Sequence, residues 1–62
     1  MPLVHITLIE GRTVDQKRAA AKKVTEAIVE TLACPPEAVK IAFHDIARED
    51  YASAGVLRVD EK

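Results

Sequence analysis

Leu3-Val4-His5-Ile6-Thr7-Leu8-Ile9, followed by Glu10-Gly11-Arg12-Thr13-Val14-Asp15-Gln16, is the stretch that decides how this chain folds. β-Branched residues at Val4, Ile6, Thr7 and Ile9 favour an extended strand. Apolar groups fall on both of its faces, the pattern of a strand covered on both sides, as in a parallel sheet. Glu10 and Gly11 end it. Thr13 then opens a helix: Thr13 as N-cap and Gln16 three positions on make a capping box. Asp15 places negative charge in the first turn, which suits the helix dipole.

Beyond the cap, Ala20, Ala21, Val24, Ala27, Ile28 and Leu32 recur at helical spacing, and Lys17, Arg18, Lys22, Lys23, Glu26 and Glu30 cover the remaining surface. The helix must stop before Pro35-Pro36, because the residue preceding a proline is pushed out of the α region. A second strand is expected over Val39 to Ile46. Val39, Ile41 and Phe43 share one face; Lys40, Ala42 and His44 share the other. Strand, long helix and strand make a βαβ unit, right-handed with parallel strands. Ala47 to Lys62, with Tyr51, Ala54 and Gly55, reads as a loop and a short hairpin reaching towards a neighbouring subunit. The fold class is α/β (α+β), a single domain over residues 1–62. Two strands leave two open edges, and pairing one edge with a second copy gives a four-stranded sheet with two helices.

Bulk properties narrow the function. A chain of 62 residues buries only about 60% of the surface exposed by its unfolded form, so it is marginal alone. Cys34 is the only cysteine, which excludes an internal disulfide. One Cys and two scattered His do not make a four-ligand zinc site. Association with other copies is therefore expected. The net charge of −1, with both signs interspersed, gives no footprint for nucleic acid or an anionic membrane. No apolar run approaches the ~20 residues that span a bilayer. No signal peptide is visible, and an unpaired cysteine fits a reducing cytoplasm.

The familiar catalytic constellations are missing: no phosphate loop, no nucleophile elbow, no metal motif. Ser53, the only serine, carries no mark of activation. The chemistry then points to the chain start. Removal of Met1 would expose the secondary amine of Pro2 at the head of a buried strand. Such an amine is a base only when neutral. Burial and nearby cations lower an amine's pKa from the ~7.7–8.0 of an ordinary α-amino group, towards the range of a general base at neutral pH. Arg12, at the mouth of the helix N-terminus, can hold a carboxylate in two parallel hydrogen bonds. Lys40 is a third cation, among apolar residues of the second strand. Each has a plainer reading: Arg12 as a solvated turn residue, Lys40 as a snorkelling edge lysine, Tyr51 as an interface anchor. His5 and His44 read as surface or interface histidines, and Cys34 as a small apolar residue.

Pro2-Leu3-Val4-His5-Ile6, then Leu8-Ile9-Glu10-Gly11-Arg12-Thr13, Asp15-Gln16-Lys17 and Val24-Thr25-Glu26-Ala27-Ile28, closely resemble the 4-oxalocrotonate tautomerases over nearly the whole chain. The resemblance implies βαβ subunits that dimerise, commonly as trimers of dimers, so a homohexamer is favoured and a dimer is the smaller alternative. It implies an isomerase, a 2-hydroxymuconate tautomerase type, acting on an unsaturated dicarboxylate dienol in aromatic hydrocarbon catabolism without any cofactor. Pro2 matches the catalytic proline, and Arg12 the arginine that binds the distal carboxylate. Ile9 and Tyr51 match apolar wall positions, Tyr51 replacing a phenylalanine. Lys40 stands where well-studied members carry a second arginine, keeping the charge without the planar fork. Ser53 replaces an apolar residue and Ala54 a glycine. Two other readings accompany this one. Superfamily relatives that hydrate or dehalogenate unsaturated acids need a carboxylate where this chain has Ser53, although Glu49 and Asp50 lie close by. The other is a non-catalytic scaffold or a partner chain of a mixed hexamer.

Overall fold

The computed structural model describes residues 2–61; Met1, whose removal frees the Pro2 nitrogen in the reading above, and Lys62 lie outside the described residues. Strand β1 (Leu3–Ile9) leads into helix α1 (Val14–Leu32), and a 3₁₀ turn at Pro36–Ala38 leads into strand β2 (Lys40–Ile46). β1 and β2 pair in parallel, in register from Leu3 with Lys40 to Ile9 with Ile46. The chain then makes a 3₁₀ turn at Arg48–Asp50, a hairpin of β3 (Ala52–Ser53) and β4 (Val56–Leu57), and a last 3₁₀ turn at Arg58–Asp60. The βαβ unit and hairpin are those the sequence predicts, and β1 has the predicted bounds. β2 starts one residue late, because Val39 caps the turn begun by Pro36, donating its N–H to the Pro36 carbonyl at 3.1 Å.

Local chemistry sets the ends of α1. The Thr13 side chain accepts from the Gln16 N–H at 3.1 Å, and the Gln16 side chain accepts from the Thr13 N–H at 2.9 Å, so two otherwise orphaned donors are satisfied. At the other end Ala33 adopts φ 54°, ψ 49°, the left-handed conformation that usually calls for glycine. Ala54 and Gly55 both have positive φ, 53° and 81°, as a two-residue hairpin loop of the primed type requires.

The face of α1 turned to the sheet is half-buried at Lys17, Ala20, Ala21, Val24, Thr25, Ile28 and Val29. Ala27 and Leu32, which belong to the apolar stripe by spacing, lie outside it and are exposed. A stripe counted on apolar residues has two flanks, and the sheet covers only one. On the sheet, Val4, Ile6, Ile41 and Phe43 lie half-buried on the helix side. Asp45 shares that face and accepts a hydrogen bond from Lys17 Nζ at 2.6 Å, tying the start of α1 to the end of β2.

In the single chain the opposite face of the sheet is open. Leu3, His5 and Thr7 are exposed, with Leu3 at 62%. His5 Nδ1 and His44 Nε2 meet there at 3.0 Å. The rings are nearly coplanar, 17° apart, with centroids 5.2 Å apart. That is the separation of two imidazoles joined edge to edge by N–H···N, not face to face. Among the described residues none is fully buried. The accessible surface of 4901 Å² compares with roughly 3,950 Å² for a compact monomer of 6.8 kDa. The radius of gyration, 14.8 Å, exceeds the roughly 10.5 Å of a compact chain of this length. The surplus surface is of the order one partner contributes to a stable interface, about 800 Å².

Two substitutions with opposite signs test the helix ends. Thr13→Ala should lower unfolding free energy by about 1 kcal/mol. Ala33→Gly, relieving the left-handed backbone, should raise it by up to about 1 kcal/mol. Denaturant melts at one fixed protein concentration read both.

Candidate active site

Parallel pairing places the starts of β1 and β2 together and their ends together, so chemistry-bearing residues collect in two groups. Pro2 and Lys40 form the first. The Lys40 N–H donates to the Pro2 carbonyl at 3.0 Å, extending the ladder one step beyond Leu3. Pro2 is half-buried and Lys40 is exposed. The backbone on one side of the proline ring is thus fixed by the sheet.

The second group sits at the far end. The Glu10 N–H donates to the Ile46 carbonyl at 2.9 Å, closing the ladder. Gly11 then takes φ +124°, a backbone region that L side chains rarely enter, and swings Arg12 out to precede the helix cap. Beyond β2, the Arg58 N–H donates to the Tyr51 carbonyl at 2.7 Å, adding a rung to the hairpin of β3 and β4, and both residues lie against the strand ends. Two open clefts result. One, of about 340 Å³, is walled by Thr7, Leu8, Ile9, Ile46, Tyr51 and Arg58. The other, of about 290 Å³, is walled by Ile9, Glu10, Gly11, Arg12, Arg48 and Arg58. Ile9 and Arg58 belong to both, so an apolar wall runs into a cationic one. Arg12 also touches a gap of about 160 Å³ between α1 and the sheet, beside Ile6, Leu8 and Phe43.

Of the residues singled out in the sequence, Ile9, Arg12 and Tyr51 therefore gather at one end and Pro2 with Lys40 at the other. The seven-residue β1 separates the groups by roughly 20 Å at 3.3 Å per residue. A six-carbon diacid spans only about 8 Å at ordinary bond lengths, so one molecule cannot touch both ends of a single chain. Glu49 and Asp50 line neither far-end cleft; the carboxylate that does is Glu10. Among the described residues no group of three or more His, Cys, Asp or Glu could hold a metal ion, and no helix is long and apolar enough to cross a membrane.

The sequence reading did not single out Arg48 and Arg58. For Arg48 a signal existed: it follows β2 directly, and in parallel sheets ligands collect at the carboxyl ends of strands. Arg58 reaches the cleft only through the hairpin, which residue spacing does not place.

The comparisons with known proteins agree with this architecture. Residues 2–60 match the Tautomerase family, described as tautomerase enzyme. A probable tautomerase of Streptococcus pneumoniae is 45% identical over 58 residues, 94% of this chain and 97% of that protein. A 2-hydroxymuconate tautomerase of Comamonas testosteroni is 41% identical over 56 residues, 90% of this chain and 89% of that protein. A solved structure from work on the 4-oxalocrotonate tautomerase isozymes of Methylibium petroleiphilum superposes with a TM-score of 0.90 at 40% identity, covering 94% of this chain and 91% of that one. Tautomerase chemistry, an isomerisation, is the activity class these relatives share by name. With the βαβ architecture matched from end to end, this chain belongs to the 4-oxalocrotonate tautomerase family of the tautomerase superfamily.

Proposed function

We propose that the chain is a 2-hydroxymuconate-type keto–enol tautomerase whose working site is assembled from the Pro2 end of one copy and the Arg12 end of another. The observation that carries this reading is the roughly 20 Å between the two ends of β1, too far for one substrate molecule within one chain. The surplus surface and exposed sheet face support association of copies, and a homohexamer is the arrangement we favour over a dimer. The chain acts as one tautomerase domain over residues 1–62. The unpaired Cys34 is consistent with a cytoplasmic enzyme, and the dienol dicarboxylate is of the kind formed in catabolism of aromatic hydrocarbons.

In the proposed reaction Pro2, freed by loss of Met1, is neutral and takes the hydroxyl proton of the dienol. The electron pair moves through the conjugated chain, and the protonated ring nitrogen returns a proton at C5, leaving the conjugated ketone. Arg12 of a neighbouring copy binds the distal carboxylate and stabilises the negative charge that builds towards it. Lys40, beside Pro2, attracts the carboxylate and oxygen at the near end as a point charge rather than a planar fork. Ile9 and Tyr51 provide an apolar wall that excludes water and so strengthens both electrostatic effects. Each of these steps is performed by the chain's own groups, the Pro2 amine and side chains, so no cofactor is invoked.

Ketonisation of 2-hydroxymuconate, followed by absorbance with protein shown by intact mass to lack Met1, tests the reading. Pro2→Ala should lower kcat by at least about 10²-fold, the usual contribution of a general base. Arg12→Ala should lower kcat/KM by about 10²–10³-fold. The decisive measurement mixes the two inactive variants under conditions that exchange chains. Random pairing restores both intact groups to roughly a quarter of the sites; no recovery would exclude a shared site. Lys40→Ala should raise KM more than it lowers kcat; unchanged kinetics would remove Lys40 from the site.

A further inference from the structure

Arg12 is not the only guanidinium at the far end of the strands. Arg48 starts the 3₁₀ turn after β2, and Arg58 starts the turn after β4. Both face the cleft that Arg12 and Ile9 line. Arg12 and Arg48 have no ion-pair partner among the described residues, whereas Arg58 Nη1 donates to Glu61 Oε2 at 2.6 Å. That contact uses one donor of a group with five. With Glu10 and Glu61 counted against the three arginines, the cleft retains a net positive charge. Its geometry also has a direction. Arg58 belongs to the apolar cleft of Ile9, Ile46 and Tyr51 and to the cationic cleft of Arg12 and Arg48. A ligand matching both has an apolar chain ending in an anionic group such as a carboxylate, with the chain against Ile9 and Tyr51 and the acid among the arginines.

We propose that Arg48 and Arg58 act with Arg12 as carboxylate-binding, specificity-determining residues that select dianionic substrates over monoanions of the same length. The proposal rests on the tautomerase reading and deepens it. The two added guanidiniums supply planar donors at the end of the substrate remote from Lys40. Binding of the distal acid is thus spread over several charge-assisted hydrogen bonds, and a monoacid placed in the same cleft leaves them unmet.

Two unreactive six-carbon acids separate this selectivity from turnover. trans,trans-Muconate carries a carboxylate at each end, and sorbate is the same skeleton with one. Calorimetric titration of the processed protein at fixed ionic strength should show muconate binding more tightly than sorbate. Arg48→Ala and Arg58→Ala should each weaken muconate by about tenfold or more and shift sorbate by less than about twofold. Arg48→Lys and Arg58→Lys, which keep the charge and lose the fork, should recover part of the difference. Arg18→Ala removes a cation paired with Asp15 on the outer surface of α1 and should change neither ligand. Equal losses for both acids, no loss for muconate, or wild-type protein without preference would overturn the proposal. So would loss of assembly in all four variants by native mass measurement, because the arginines would then be joining copies. Muconate selectivity without dienol turnover would retain these contacts and sink the isomerase; turnover with unselective binding would do the reverse.

Discussion

Seven residue pairs, from Leu3 with Lys40 to Ile9 with Ile46, join the two distant parts of this chain in one ladder. Hydrogen bonds at either end, from Lys40 to the Pro2 carbonyl and from Glu10 to the Ile46 carbonyl, lengthen it by a step. Everything with chemical promise hangs from those two ends. The helix packs along the ladder, is capped at Thr13, and returns the chain so that the second strand runs parallel. Parallel direction is what puts Lys40 beside Pro2 and Arg48 near Arg12. An antiparallel pairing would have mixed the groups.

The same ladder is under-covered. A helix of 19 residues shields one face, where Ile6, Phe43 and Val24 are only half-buried, and the face bearing Leu3 and the His5–His44 pair is open. Hydrophobic burial is the main favourable term in folding, and with none of the described residues fully buried a single copy has little of it. In the proposed assembly, stability and site formation are parts of one event: the contact that covers the open surface also brings unlike strand ends together.

Much of this was legible in the residues. Strand β1, the capping box and the hairpin at Ala54-Gly55 each follow from local chemistry, and the structure reproduces them. The stop of α1 was legible from Pro35-Pro36, though not the left-handed Ala33 that accomplishes it. Which flank of the apolar stripe meets the sheet was not: Ala27 and Leu32 satisfy the helical period yet face outward, while Val29 and Thr25 pack inward. Among site residues, Pro2, Arg12 and Lys40 stand out by their own chemistry, and their roles, with the wall positions Ile9 and Tyr51, come from family resemblance. Their division between two ends follows from strand direction. The convergence of Arg58 depends on where the hairpin as a whole lies against the strand ends, which its own local rungs, such as the Arg58 N–H to the Tyr51 carbonyl, do not determine.

The distance along β1 has a bearing on descent as well as on chemistry. If unlike ends cooperate across copies, a gene encodes two halves that are inherited together but used apart. After duplication, one daughter could decay at its proline end and the other at its arginine end, and the pair would still support a working assembly. Such drift needs no new contact and no gain in fitness. It would leave two chains, each dependent on the other, where one had sufficed.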